Sequence, residues 1–250
     1  MRWIPAALIF GCLAPAHAEW ALSSRRVVAT LPGGAEFIER DAAQDGEAVR
    51  VQGVFFTAKQ ARFAVIDNEA RVSLGEAMSA AGALAGTNGA YFKADWTPVG
   101  LEIAGGRKIH GFERAKLLSG VFVVTKGVPR IVRSAAYEAA KGDEAALQCG
   151  PFLVEDGKII SGLNALKMAR RTVAATDGRG RWALMIFTHA TLADTAALLA
   201  SRVIFSDFHA EQALNLDGGS STALWVATSP EPFYFSEFGR VRNFVAIFPK

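Results

Sequence analysis

The segment Ala213-Leu214-Asn215-Leu216-Asp217-Gly218-Gly219-Ser220-Ser221-Thr222 holds the residue types most suited to chemistry in this chain of 250 residues. A short apolar strand delivers a carboxylate into a glycine turn that is followed by three hydroxyls. Glycines there let the backbone approach a ligand closely and can present successive N–H groups to an anion. A strand end would hold Asp217 rigid yet accessible. A hairpin turn whose aspartate bonds its own backbone accounts for the same residues. A second segment, Thr87-Asn88-Gly89-Ala90-Tyr91-Phe92, leads into Thr97-Pro98-Val99-Gly100-Leu101, although Asn-Gly is also the commonest hairpin signal. A third, Gln148-Cys149-Gly150-Pro151-Phe152, precedes the basic pair Arg170-Arg171 at the entry to an apolar run. A strand arginine can clamp a phosphate or carboxylate through two parallel hydrogen bonds, or form a surface ion pair.

Strand signals dominate the elements that must position these groups. From Ala48 to Phe56, Val49, Val51 and Gly53 alternate with Arg50 and Gln52, the period of a half-buried strand. Arg62 to Asp67 is expected as its neighbour. Gly105-Gly106, Lys126-Gly127, Asp156-Gly157 and Asp177-Gly178-Arg179-Gly180 each separate two β-rich runs and predict hairpins. Phe244 to Phe248 is expected as a buried strand. Ser73 with Glu76 forms a capping box, and Leu74, Ala77, Met78 and Ala81 fall at helical spacing. Thr191 with Asp194 predicts a second helix from Leu192 to Ser201, and a third is expected near Lys141 to Leu147. No repeat or linker divides the chain. The expected fold class is α+β: one domain over residues 19–250, with mixed or antiparallel sheets built from hairpins and two or three flanking helices.

Residues 1–18 read as a cleavable signal peptide. Arg2 supplies the positive start, Trp3 to Leu13 the apolar stretch, and Ala16-His17-Ala18 a small-x-small cleavage site. Pro5 and Pro15 interrupt this run, which disfavours a membrane anchor. Lipid anchoring at Cys12 is the lesser alternative. The product is expected to be exported, periplasmic or secreted, with no transmembrane span in the mature chain. Removing Arg2 lowers the formal charge from +3 to +2, which leaves no electrostatic footprint for nucleic acid. Cys149 then stands alone, so no intrachain disulfide forms and stability rests on the apolar core.

In order along the chain, these segments resemble the phosphodiester glycosidase domain family. The matching pieces are Thr87 to Phe92, Pro98 to Ile103 with Gly106, Gly120-Val121-Phe122, Cys149-Gly150-Pro151 with Asp156-Gly157, Arg171, and Ala213 to Ser221. The resemblance implies a hydrolase that acts on a carbohydrate or glycosyl-phosphate substrate. It implies that Asn88, Arg171 and Asp217 line the site, with Gly218, Gly219 and Ser220 as its floor; Gly89, Tyr91, Gly150 and Ser221 complete the candidate substrate-binding set. Cleaving a sugar from a phosphodiester expels a phosphate monoester, a stable anion, so a strong general acid is less necessary than where paired carboxylates share the work. Asp217 is expected as base, nucleophile or electrostatic stabiliser at the anomeric carbon, Arg171 as the phosphate ligand, and Asn88 as a group orienting a sugar hydroxyl. Glu102 and His189 are further candidates, and His189 falls where the family commonly has a different pattern. No cofactor is required; a divalent cation near Asp217 is compatible with the sequence, which shows no ligand set that establishes one. A non-catalytic glycan-binding or envelope polysaccharide assembly protein would keep the same pocket. A serine hydrolase lacks its Gly-x-Ser-x-Gly elbow around Ser220 and Ser221.

Overall fold

The computed structural model describes residues 19–250; the expected signal peptide and Cys12 lie outside the described residues. Strand accounts for 47% of the structure and helix for 11%, so the fold is mostly β and the α+β expectation is corrected. The described residues form three antiparallel sheets and two α-helices, Leu74–Ala81 and Leu192–Ala200. Neither helix is long and apolar enough to cross a membrane. The helix expected near Lys141 to Leu147 is instead the strand Asp143–Cys149, paired on both sides with Gly120–Thr125 and Glu102–Ala104. Ala145, Ala146 and Leu147 are all buried there, and a short run buried on both faces has no period by which a strand can be told from a helix.

The largest sheet has eight strands, in the order Ala21–Thr30, Glu36–Gln44, Glu47–Thr57, Arg181–Ala190, Ala169–Thr176, Gln212–Asn215, Phe152–Glu155 and Lys158–Ile159. A five-stranded sheet runs Arg107–His110, Glu102–Ala104, Asp143–Cys149, Gly120–Thr125, Val128–Arg133. The other runs Phe233–Phe235, Leu224–Val226, Ala85–Asn88, Asn243–Pro249, Ala61–Asp67. All four expected hairpins are present. Lys126-Gly127 and Asp156-Gly157 take positive φ at both central residues, the mirror-image turn whose twist matches that of the strands it joins. Strand Ala61–Asp67, however, does not neighbour Glu47–Thr57; it pairs along its length with Asn243–Pro249 in another sheet. Only long-range burial sets that partner.

Alternation sorts each large-sheet strand between two cores. One face, with Phe37, Val54, Trp182, Leu184, Ile186 and Leu214, packs on Phe63, Phe122, Leu147 and Val245 from the smaller sheets. The opposite face, with Ile38, Val51, Val173, Ala183, Met185 and Phe187, is covered by helix Leu192–Ala200 and by Phe205 and Phe208. Both helices carry the expected capping boxes, at Ser73/Glu76 and Thr191/Asp194. The first lies on the outer side of the third sheet, where Met78 fills the space that a side chain at Gly86 would occupy: a Cβ there would stand 2.1 Å from its sulfur. These layers bring one end of strands Gln212–Asn215 and Ala169–Thr176 together with the turn after Ala85–Asn88, and the functional residues gather at that end.

Candidate active site

Val173 lies opposite Asn215 in the antiparallel pair of strands, and the Leu216 N–H donates to Thr172 O at 2.8 Å. Arg171 lies two residues before Val173, and Asp217 two residues after Asn215. Side chains two positions apart along a strand point to one face, and Asn215, Asp217 and Arg171 share one cavity wall. They line a cavity of about 370 Å³ together with Tyr91, Gly218, Gly219, Asn164, Lys167, Leu117 and Leu192, among others. Asp217 is the one carboxylate among the lining residues.

The turn Asn88-Gly89 holds Asp217 by its backbone. Its N–H donates to Gly89 O at 2.9 Å, and its carbonyl accepts from Asn88 Nδ2 at 2.7 Å. Asn88 Oδ1 accepts in turn from Thr172 Oγ1 at 2.8 Å and from the Ala223 N–H at 3.1 Å. Asn88 is fully buried and sits behind Asp217, not on the cavity wall. Its geometry suits alignment of the carboxylate, not contact with a sugar hydroxyl. Gly89 is also behind the wall, where a Cβ would come within 2.2 Å of Asn243 Oδ1. Gly218 passes so close to the neighbouring strand that a Cβ would stand 2.8 Å from Arg170 O, while Gly219 needs its freedom for a φ of +64°. Both line the cavity.

Burial pushes the Asp217 carboxyl up to about 6, against hydrogen bonds from Ser221 and from the Gly218 N–H, the latter at 2.8 Å from Oδ1. The group is thus poised near neutrality, where a carboxylate can exchange protons usefully. Ser221 therefore belongs with the carboxylate; Ser220 is exposed beyond the lining residues. Tyr91 donates its hydroxyl to Gly150 O at 2.5 Å, and burial holds it well above its usual titration range, so it stays protonated. Gly150 supplies that acceptor from a position where a Cβ would sit 2.2 Å from Leu117 O. Cys149 is fully buried, and its thiol is pushed up first by burial and then by the Asp217 charge.

Arg171 Nε donates to Ala190 O at 3.0 Å and Nη2 to Lys167 O at 2.5 Å. Burial lowers its proton affinity, and the hydrogen-bonding partners the structure shows for it are carbonyls. Carbonyls orient the guanidinium without neutralising it, so the positive charge is available to an anion in the cavity. Lys167 adds a second cation at the rim, on a turn closed by the side chain of Asn164, whose Oδ1 accepts from the Leu166 and Lys167 N–H groups at 3.0 and 2.7 Å. Sequence reasoning missed Lys167 and Asn164, which lie in a loop without a motif. It also passed over Asn215, although its place two residues before Asp217 puts it on the same strand face.

The two reserve candidates lie elsewhere. His189 is exposed and outside the cavity lining. Glu102 is buried behind Asn243, whose Nδ2 donates to Glu102 Oε2 at 2.7 Å; burial pushes this carboxyl up to about 7. Among the described residues, no three His, Cys, Asp or Glu side chains converge as metal ligands would.

No curated protein matches the chain in sequence. Among the solved structures that share its fold are one from Synechocystis and one from zebrafish. A hypothetical protein from Synechocystis superposes with a TM-score of 0.59 at 17% identity, over 87% of this chain and 62% of that one. The chain thus spans less than two thirds of that protein's length. The zebrafish N-acetylglucosamine-1-phosphodiester alpha-N-acetylglucosaminidase catalytic domain, auto-inhibited by its pro-peptide, superposes with a TM-score of 0.63 at 15% identity, over 94% of this chain and 88% of that one. At such identities the likeness is one of fold. The family model named phosphodiester glycosidase matches residues 81–248 and so takes in Asn88, Arg171, Asp217 and the glycine turn; with well over half of its length matched, the chain belongs to the phosphodiester glycosidase family.

Proposed function

We propose that this protein hydrolyses the bond between a sugar and the phosphate of a glycosyl phosphodiester, and does so outside the cytoplasm on an envelope or exopolysaccharide glycan. The observation that carries the reading is the unpaired charge arrangement of the cavity. The wall carries one carboxylate, Asp217, and two cations, Lys167 and Arg171, the second held by the carbonyls of Ala190 and Lys167. Such a wall suits a ligand with an anionic half and a neutral half. Arg171 and Lys167 take the phosphodiester, and the sugar lies toward Asp217 and the glycine turn.

The chemistry follows from that orientation. The anomeric C–O bond breaks, its electron pair leaves with the phosphate monoester, and water supplies the new anomeric hydroxyl. Asp217 in its ionised form either takes the proton from that water or attacks the anomeric carbon first. The departing phosphate is already an anion held by cations, so no second carboxylate is needed as an acid. Glu102 is sealed behind Asn243, and His189 is off the cavity, so neither has a part. Asn88 acts through Asp217 as a positioning residue. An ionised Asp217 with a titration point near 6 makes kcat/KM rise with pH through about 6 and level off above it.

The test is turnover of a panel of sugar-1-phosphodiesters by the chain from Glu19, alongside Asp217→Asn and with and without divalent cations. Release of free sugar and phosphomonoester, lost in the folded variant, is the expected result. Saturable glycan binding with no release would transfer the protein to a binding or assembly role. Accumulation in the periplasm or medium, with Glu19 as the new N-terminus, is the matching result for export.

A further inference from the structure

A second cavity, of about 620 Å³, is lined by Phe112, Glu113, Arg114, Leu118, Ser134 and Tyr137, among others. The rings of Phe112 and Tyr137 lie nearly parallel there, 9° apart in plane with centroids 6.0 Å apart, and Phe112 is 38% exposed. Buried polar groups hold both sides of this hollow. Gln148, fully buried, accepts at Oε1 from the Leu101 and Glu113 N–H groups, each at 3.0 Å, and donates Nε2 to Glu113 O at 2.7 Å. Opposite, the Tyr137 hydroxyl donates to Asp143 Oδ2 at 2.9 Å, a carboxylate that also accepts from Thr125 Oγ1 and from the Ala140 N–H. Ser134 Oγ donates to Leu118 O at 2.5 Å and ties the two sides together. Arg114 is exposed and forms no ion pair among the described residues.

The loop that carries Phe112 and Arg114 runs on to the catalytic cavity. Leu117 lines that cavity and is 53% exposed, so the ridge between the two hollows is open to solvent. Strand Asp143–Cys149, which carries both Asp143 and Gln148, leads into Gly150, the acceptor of the Tyr91 hydroxyl in the catalytic wall. Phe112 and Leu117 are five residues apart, so their Cα atoms lie within about 18 Å of each other, a span that a few linked sugars cover. A flat aromatic surface buries the C–H face of a pyranose ring while the ring's hydroxyls stay at its edge in water. We propose that the Phe112–Tyr137 cavity is a second subsite that binds a further unit of the same glycan, its sugar ring on the aromatic pair and its phosphate on Arg114. This rests on the glycosyl phosphodiester reading of the catalytic cavity. It selects as substrate class a chain of sugars joined through phosphodiesters, gripped at a distance from the bond that breaks.

The experiment compares two synthetic ligands on the chain from Glu19: the methyl diester of a sugar 1-phosphate, and a trimer of the same sugar joined through 1-phosphodiesters, each made with glucose and with N-acetylglucosamine. Calorimetry gives Kd and turnover gives KM, for wild type, Phe112→Ala and Arg114→Glu. Wild type is expected to bind the trimer about tenfold more tightly per sugar unit than the single unit, and Phe112→Ala to lose that advantage. Arg114→Glu, at an exposed position, is expected to weaken trimer binding about threefold and reads the same site should Phe112→Ala not fold. Equal affinity of wild type for trimer and single unit overturns the proposal, as does a folded Phe112→Ala that keeps the advantage. Sugar release without any dependence on chain length removes the second subsite and leaves the hydrolase reading standing. Trimer binding that depends on Phe112, with no release, removes the hydrolase reading and keeps the subsite.

Discussion

Two buried arginines on one face of the large sheet, each with an aspartate nearby, end in opposite arrangements. Arg40, fully buried between Ile38 and Ala42 on its strand, donates Nη2 to Asp207 at 2.7 Å and stacks over the rings of Phe55 and Phe205, each centroid 4.7 Å away. Asp207 also accepts from Arg25 at 2.8 Å, and its backbone carbonyl accepts from Arg181 Nη1. Burial alone would raise the Asp207 carboxyl, but the Arg25 and Arg40 contacts hold it below its ordinary value. Arg171 shares a cavity wall with Asp217 but bonds carbonyls, and that aspartate is raised. A closed pair stabilises the sheet; an open pair leaves both charges for a ligand.

The sharpest way to separate the two is to neutralise each aspartate. Asp217→Asn is expected to lower kcat by about 10³-fold or more without lowering the melting temperature, since it removes a carboxylate that burial disfavours. Asp207→Asn is expected to leave turnover per folded molecule unchanged. Equal losses of stability and activity in both variants would break the comparison. The next effect in size is Arg40→Met, which leaves Asp207 without its buried partner and is expected to cost about 3 kcal/mol in denaturant unfolding, again with KM unchanged.

Glu102 extends the contrast to a raised acid with no access to the cavity. Its folded titration point, about 7, lies above the unfolded value of 4.5, so folding favours the protonated form. Below the unfolded value the group contributes no difference; as pH rises from there through about 7, stability falls. Glu102→Gln is expected to flatten that slope and add roughly 1–2 kcal/mol at pH 8, with no gain at pH 4. The smallest expected effect is that of Arg171→Lys. It keeps the charge but loses the fork that the two carbonyls orient, so KM should rise about tenfold and inhibition by inorganic phosphate should weaken, with the fold intact. An unchanged KM would show that Lys167 alone holds the anion.

Much of this was legible before any coordinates. The capping boxes at Ser73 and Thr191, the mirror-image turns at Lys126-Gly127 and Asp156-Gly157, and the strand ending at Asp217 are local features. They depend on residues within a few positions of one another, where backbone sterics and short hydrogen bonds decide. Asp217 and its glycines were legible for the same reason. The motif order implied Asn88 and Arg171 as site residues, but not that Asn88 would be walled off behind the carboxylate.

What tertiary structure alone decided were the partnerships across the chain. Asp143–Cys149 became a strand, not a helix, because two other strands were there to pair with both its edges. Ala61–Asp67 paired with the C-terminal strand and not with its neighbour in sequence. The same held for charge: nothing local marks Arg40 as closed by Asp207, 167 residues away, or Arg171 as left open. The amino-acid sequence by itself determined which groups could do chemistry and the turns that carry them. Packing of distant segments decided which charges were neutralised and which groups were raised by burial, because desolvation and pairing depend on neighbours that only the folded chain brings together.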